Sequence, residues 1–254
     1  MNKFKYYLVA IAFFLAFFTG CNKEKDMAIV PSSFTKRVLF EEFSGEWCAS
    51  CVSGAQEFLK IIEKNPENII GVSIHSDDPL EIEYPNIAPF LISEFNIVYF
   101  PFELIDRVPN ESSTEVFVDQ RFKVKYNAGL KIESKIIEND LEINVNYASN
   151  SDFNNVLLTV YLIEDNVPES SPGAQAGGGG NYIHQKVLRK VLSSKIGDPV
   201  ELKEGIKYEK KYLSNISGYK IQDLSVIAFL HFGSTNSYEV LNVNQVKAGQ
   251  NSEW

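Results

Sequence analysis

Arg37-Val-Leu-Phe-Glu-Glu-Phe-Ser-Gly-Glu-Trp-Cys-Ala-Ser-Cys-Val-Ser-Gly-Ala-Gln-Glu-Phe-Leu-Lys60 joins a short apolar run to an amphipathic one through two cysteines. Arg37 to Phe43 is mostly apolar with two acids, which suits a buried strand. Ser44-Gly45-Glu46-Trp47 turns the chain. From Cys51 the apolar residues Val52, Ala55, Phe58, Leu59 and Ile62 recur at three and four, a helical stripe running to about Lys64 before Asn65-Pro66 stops it. Cys48 and Cys51 therefore fall at a strand-to-helix junction.

Outward from this junction, Asn68 to His75 reads as the next strand and completes a β-α-β unit, whose crossover should be right-handed. A second helix is expected from Ile87 to Phe95. Val98-Tyr99-Phe100-Pro101-Phe102-Glu-Leu-Ile-Asp106 then gives a strand that opens with proline, and Ser112 to Tyr126 allows a last helix. Trp47-Cys48-Ala49-Ser50-Cys51 in this setting resembles the W-C-x-x-C motif of the thioredoxin superfamily. The resemblance implies that Cys48 is the exposed nucleophile and Cys51 the buried resolving thiol. It also implies that Glu42 is a buried acid moving the resolving thiol's proton, and that Phe100-Pro101 is a cis-proline loop holding the substrate chain. Ala49-Ser50 departs from the Gly-Pro or Pro-His dipeptides of well-known oxidoreductases, and no final hairpin strand is evident after Asp106-Arg107.

The chemistry of the pair follows from its position. Unpaired N–H groups and the macrodipole at a helix start favour an anion, so Cys48 should be more thiolate-like than a free cysteine. Glu41, Glu42 and Glu46 oppose this, because nearby like charge raises a thiol's pKa and stabilises the disulfide. The balance predicts a reducing or inert couple rather than a strong oxidant. As a pure staple the pair is poorly placed, since closing a four-residue loop contributes only roughly 2 kcal/mol by the chain-entropy estimate. No metal or cofactor beyond the Cys48–Cys51 disulfide is expected: His75, His184 and His231 have no paired-ligand spacing, and His75 and His231 read as packed or hydrogen-bonded residues.

Residues 1–20 read as an export signal. Asn2-Lys3-Phe4-Lys5 is cationic, and Tyr6 to Phe18 is an apolar run too short to cross a bilayer. Phe18-Thr19-Gly20-Cys21 resembles the bacterial lipoprotein signal, which implies a lipid-modified Cys21 as the new N-terminus and a tether over residues 21–36. Lipidation of Cys21 leaves one cysteine pair among three, in an oxidising compartment. Lys23-Glu-Lys-Asp26 suits display on the outer face of the outer membrane, with a periplasmic location as the other possibility.

Beyond Tyr126-Asn-Ala-Gly129 the pattern changes to strands without helices. Leu141 to Tyr147 alternates as a strand with one wet face does, and Val156–Ile163, Ile206–Leu213, Leu224–Phe232 and Tyr238–Val246 read as further strands. The fold class is therefore α/β plus all-β, with an α/β domain over 37–127 and an antiparallel β-sandwich over 128–254. Pro172 to Asn181, with four consecutive glycines, reads as a mobile loop, since no P-loop lysine follows. Glu41-Glu-Phe-Ser-Gly45, the C-x-x-C, Leu104-Ile-Asp-Arg107, Tyr182-Ile-His184 with Val187-Leu-Arg189, Val226-Ile-Ala-Phe-Leu230 and Glu239-Val-Leu-Asn242 together resemble one family. It is the twenty-eight-kilodalton outer membrane protein family of Bacteroidetes-type bacteria. Membership implies a thioredoxin-like domain, an immunoglobulin-like sandwich and an outer-membrane lipid anchor; members commonly have proline where this chain has Val52. His184 and Arg189 read as structural within the sandwich, a functional patch being the alternative.

Of 254 residues, 44% are hydrophobic and 22% charged, which excludes a disordered, collagen-like or coiled-coil chain. With 24 basic and 33 acidic side chains the net charge is −9, so nothing favours a nucleic-acid partner. Two functions fit. One is a lipid-anchored thiol–disulfide oxidoreductase acting on client protein thiols or disulfides through Cys48, Cys51, Glu42, Pro101 and Trp47. The other is a surface interaction or adhesion lipoprotein that binds an unknown surface ligand, its disulfide remaining closed.

Overall fold

A computed structural model of the chain describes residues 30–82, 86–108, 114–233 and 237–254. The expected signal and Cys21 lie outside the described residues. The α/β half begins with β1 (Val38–Ser44), every residue of which is buried. Strand alternation sends Val38 and Phe40 to one face and Leu39 and Phe43 to the other. Helix α1 (Cys51–Lys64) follows and buries Phe58, Ile61 and Ile62 against the Val38–Phe40 face. The helix ends where the Asn65 N–H returns to the Ile62 carbonyl and Pro66 follows. Strand β2 (Ile69–His75) then runs parallel to β1, from Val38↔Ile69 to Ser44↔His75. Helix α2 (Ala88–Glu94) covers the opposite face through Ala88 and Leu91, and β3 (Phe102–Ile105) pairs antiparallel with β1. Helix α3 (Thr114–Arg121) packs Phe117 and Val118 beside α1.

The second half is all strand apart from a 3₁₀ turn at Ile221–Asp223. Its strands are β4 (Ala128–Ile137), β5 (Asp140–Ser149), β6 (Phe153–Glu164), β7 (Val167–Pro168), β8 (Ile183–His184), β9 (Val187–Val191), β10 (Asp198–Leu202), β11 (Lys207–Asn215), β12 (Leu224–Phe232) and β13 (Val240–Lys247). A three-stranded sheet, β11-β5-β4, faces a larger one across an apolar core. Leu130, Ile132, Ile143 and Val145 from the small sheet meet Leu158, Val160, Val226 and Ala228 from the large one.

The larger sheet does not stop at residue 128. Its order is β13-β12-β6-β9-β2-β1-β3, with β10 added on β6, so the strands of both halves form one surface. The junction is the parallel pair Ser73↔Val187, where the Ser73 N–H donates to the Lys186 carbonyl at 2.8 Å. Strands β6 and β12 are consequently buried on both faces. Their even-numbered residues fill the core between the sheets, while Tyr161, Ile163, Ile227 and Phe229 pack with Leu39, Phe43 and α2. This double burial explains why both strands read as near-continuous apolar runs.

Candidate functional site

The turn Gly45–Ser50 carries the chain from β1 into α1, and Cys51 opens the helix. The Cys51 N–H donates to the Cys48 carbonyl at 3.2 Å, which folds the motif into one turn and brings the two sulfurs together. They form a disulfide with a Cα–Cα separation of 5.3 Å. Ser50, the N-cap residue, makes no side-chain bond to the helix start, so backbone N–H groups there remain available to an anion.

Cys51 is 1% exposed, as a resolving thiol would be, but Cys48 is only 5% exposed and not the open nucleophile expected. It is covered because the segment 175–178 from the second half lies on one side of the motif, with Gln175 donating to the Cys48 carbonyl at 3.1 Å. On the other side Ser50 Oγ lies 3.4 Å from Cys48 Sγ and donates to the Phe100 carbonyl. Trp47 is 53% exposed; its indole N–H donates to the Ser76 carbonyl at 2.9 Å and its ring stacks on Phe100, centroids 5.4 Å apart. The Phe100–Pro101 bond is cis, and Pro101 sits over α1 at Gly54. A Cβ at Gly54 would meet Pro101 Cγ at 2.6 Å, so only glycine lets the helix pass under the proline.

The three acids separate. Glu42, on the α1 face of β1, is buried with Oε1 unpartnered, and it lines a cavity of about 20 Å³ with Cys51, Ser73, Tyr182 and His184. That is room for one water at most. Burial pushes the Glu42 carboxyl up to about 8, the Glu103 charge adds to this, and a hydrogen bond from Ser73 draws it back. Glu41 points to the opposite face. It accepts two bonds from Arg107, at 2.8 and 2.9 Å, in a fully buried ion pair that also holds the Tyr161 hydroxyl. Glu46 turns away from the sulfurs to accept the Ser170 N–H at 2.6 Å and the Ser170 hydroxyl. The three-acid field expected around Cys48 therefore reduces to Glu42, because strand alternation and the turn spend the other two elsewhere.

Behind the disulfide the rings of His75 and His184 meet edge to face, centroids 4.8 Å apart. His75 Nδ1 is 2.6 Å from Asp78 Oδ2, and His184 Nε2 is 3.6 Å from Glu46 Oε1. Burial, and then the neighbouring His75, holds His184 down at about 4, so its ring is neutral. His231 lies apart: Nδ1–H donates to the Phe232 carbonyl and Nε2 accepts from Thr159, both at 2.9 Å. Arg189 faces Glu164 and the Tyr219 ring rather than joining His184. Among the described residues no group of three or more His, Cys, Asp or Glu is arranged to hold a metal ion. Gln175, Tyr182 and Gly54 are the site residues that sequence reasoning missed. Gly54 sat unremarked within the helical stripe, while the other two reach the site only through long-range pairing.

A C-x-x-C disulfide at a helix start, backed by a buried acid and flanked by a cis-proline, defines an α/β-plus-β protein with a thiol-type site. The chain belongs to the family described as Outer membrane protein Omp28, whose model matches residues 90–252, and membership associates it with the outer membrane. Among solved structures it is similar to HBP35 of Porphyromonas gingivalis, with a TM-score of 0.76 and 22% identity over 86% of this chain and 77% of that one. It is also similar to protein AGR_C_4864 from Agrobacterium tumefaciens, with a TM-score of 0.56 and 13% identity over 88% of this chain and 99% of that one. At these identities the likeness shows a shared fold. No curated protein matches the chain.

Proposed function

We propose that the protein is an outer-membrane thiol–disulfide oxidoreductase, anchored by lipid on Cys21, with a thioredoxin-like half and an immunoglobulin-like half. The observation that carries this reading is the buried Glu42 carboxyl, its Oε1 unpartnered, sharing a small cavity with Cys51 behind a helix-start disulfide. A merely structural disulfide has no use for a buried acid, whose desolvation is costly. In the reduced protein the Cys48 thiolate attacks a client disulfide, forming a mixed disulfide and expelling one client thiolate. The ionised form of Glu42, a minority at neutral pH because burial holds the carboxyl up at about 8, takes the Cys51 proton, and the Cys51 thiolate attacks Cys48 Sγ, which expels the second client thiolate. Two electrons pass to the client, and its two sulfurs take up two protons. Pro101 and the Trp47–Phe100 stack border the approach to Cys48 and position the client chain.

The coverage of Cys48 favours the second reading, an interaction lipoprotein with a closed disulfide. A Cys51→Ser variant separates the two. An exchanger accumulates mixed disulfides between Cys48 and client proteins in cells; an interaction protein accumulates none.

A further inference from the structure

Between β7 and β8 the chain leaves the sheet and lies against the cysteine motif. Ala176 N–H donates to the Glu46 carbonyl at 2.7 Å, and Gln175 Nε2 donates to the Cys48 carbonyl at 3.1 Å. Ser170 contributes its N–H and hydroxyl to the Glu46 carboxylate. Gln175 is 2% exposed, a buried polar side chain in a stretch otherwise near the surface. Gly177, at φ +75°, lies against the motif, where a Cβ would be in ordinary contact with Ala49, 3.4 Å from its carbonyl oxygen. Gly173, Gly179 and Gly180, by contrast, border open space.

The segment also holds itself together. The Glu169 carboxylate accepts the N–H groups of Gly173, Gln175 and Tyr182 at 3.1, 2.9 and 3.3 Å, tying its two ends across one side chain. This is the pattern of a compact surface loop whose ends lie close together and whose interior is filled by its own side chains. Its attachment to the motif consists of a few hydrogen bonds, and apart from Tyr182 on the His184 ring none of its residues packs into an apolar cluster, so local opening costs less than global unfolding.

We propose that residues 169–182 are a lid over the Cys48–Cys51 disulfide, held closed by Gln175 on the Cys48 carbonyl and by Ser170 and Ala176 on Glu46. The inference rests on the oxidoreductase reading: the lid makes the second half the regulator of access to the thiol site. Clients reach Cys48 only after the lid lifts.

The test uses the intact oxidised chain and tris(2-carboxyethyl)phosphine. The phosphine gives two electrons to the disulfide and becomes the phosphine oxide with an oxygen from water, whose two protons complete the dithiol. Alkylation and mass spectrometry then read the reduction rate. The folded wild type should reduce well below the rate of the urea-unfolded chain. Gln175→Ala should reduce about fivefold faster than wild type, and Ser170→Ala with Gln175→Ala faster still, following the loss of each hydrogen bond. Wild-type reduction at the unfolded rate, or unchanged rates in variants with wild-type circular dichroism, would overturn the lid. If the variants fail to fold, hydrogen exchange in the wild type decides. The Ala176 amide should exchange faster than the amides of β6 and β12, and equal protection overturns the proposal. Faster reduction in the variants with no client trapped by Cys51→Ser would keep the lid and reject the exchanger.

Discussion

Glu42→Gln should stabilise the protein in a pH-dependent way. In the folded chain the Glu42 carboxyl is raised from 4.5 to about 8, while the unfolded chain restores the ordinary value. Below pH 4.5 the group is protonated in both states and contributes no pH-dependent cost. Between 4.5 and 8 the unfolded state ionises while the folded state keeps its proton, so the wild type loses stability at about 1.4 kcal/mol per pH unit. The loss reaches about 3 kcal/mol at pH 7 and levels off above pH 8. Glutamine has nearly the same shape and no charge to desolvate, so the stability of Glu42→Gln relative to wild type should climb across that window. Urea denaturation of both oxidised proteins, followed by far-ultraviolet circular dichroism at pH 5, 6, 7 and 8, measures the difference. A gap that stays constant with pH would refute the reasoning, because it would mean that Glu42 ionises alike in both states.

Removing one partner of the Arg107–Glu41 pair, as in Arg107→Met, leaves a buried charge; it should cost about 3–5 kcal/mol in urea denaturation, whereas under about 1 kcal/mol would contradict a closed pair. Gly54→Ala gains about 1 kcal/mol of helix propensity but forces a Cβ into Pro101, an overpacking penalty of about 1–3 kcal/mol. It should be net destabilising, and a higher melting temperature would count against the close approach. His184, held down at about 4, stays neutral in the fold while the unfolded chain protonates near 6.5. Its contribution is therefore present above pH 6.5 and lost toward pH 4, by about 2 kcal/mol after allowance for screening, and His184→Gln should flatten that acid limb in melting curves.

Local order was legible in the sequence and long-range pairing was not. The strand before Trp47, the helix stripe from Cys51 and the strand ending at His75 all lie where apolar periodicity puts them, because each is fixed by neighbours within one element. Leu224–Phe232 matches its apolar run end for end. Strand β4 escaped, since Asn127-Ala-Gly129 reads as a domain boundary while Leu130 and Ile132 continue straight into the core. The join of β9 to β2 has no local signature at all: Val187 reaches Ser73 through the fold, not through any spacing. The covering of Cys48 has the same origin, for Gln175 stands 127 residues away in a stretch whose glycines and proline read as a free loop.

The acids near the motif show what that blindness costs an electrostatic argument. Counted along the chain, Glu41, Glu42 and Glu46 form a negative field that should raise the Cys48 thiol and favour the disulfide. In the fold, adjacent positions on β1 point to opposite faces, so Glu41 meets Arg107 while Glu42 meets Cys51. Glu46 is committed to Ser170. The one acid left beside the sulfurs keeps its proton up to about pH 8 and so adds little charge in neutral solution. What remains at neutral pH is the uncapped start of α1, which favours a thiolate and thereby makes the disulfide easier to reduce. The bias toward a stable disulfide belongs to alkaline solution, where Glu42 ionises and its charge finally bears on Cys51.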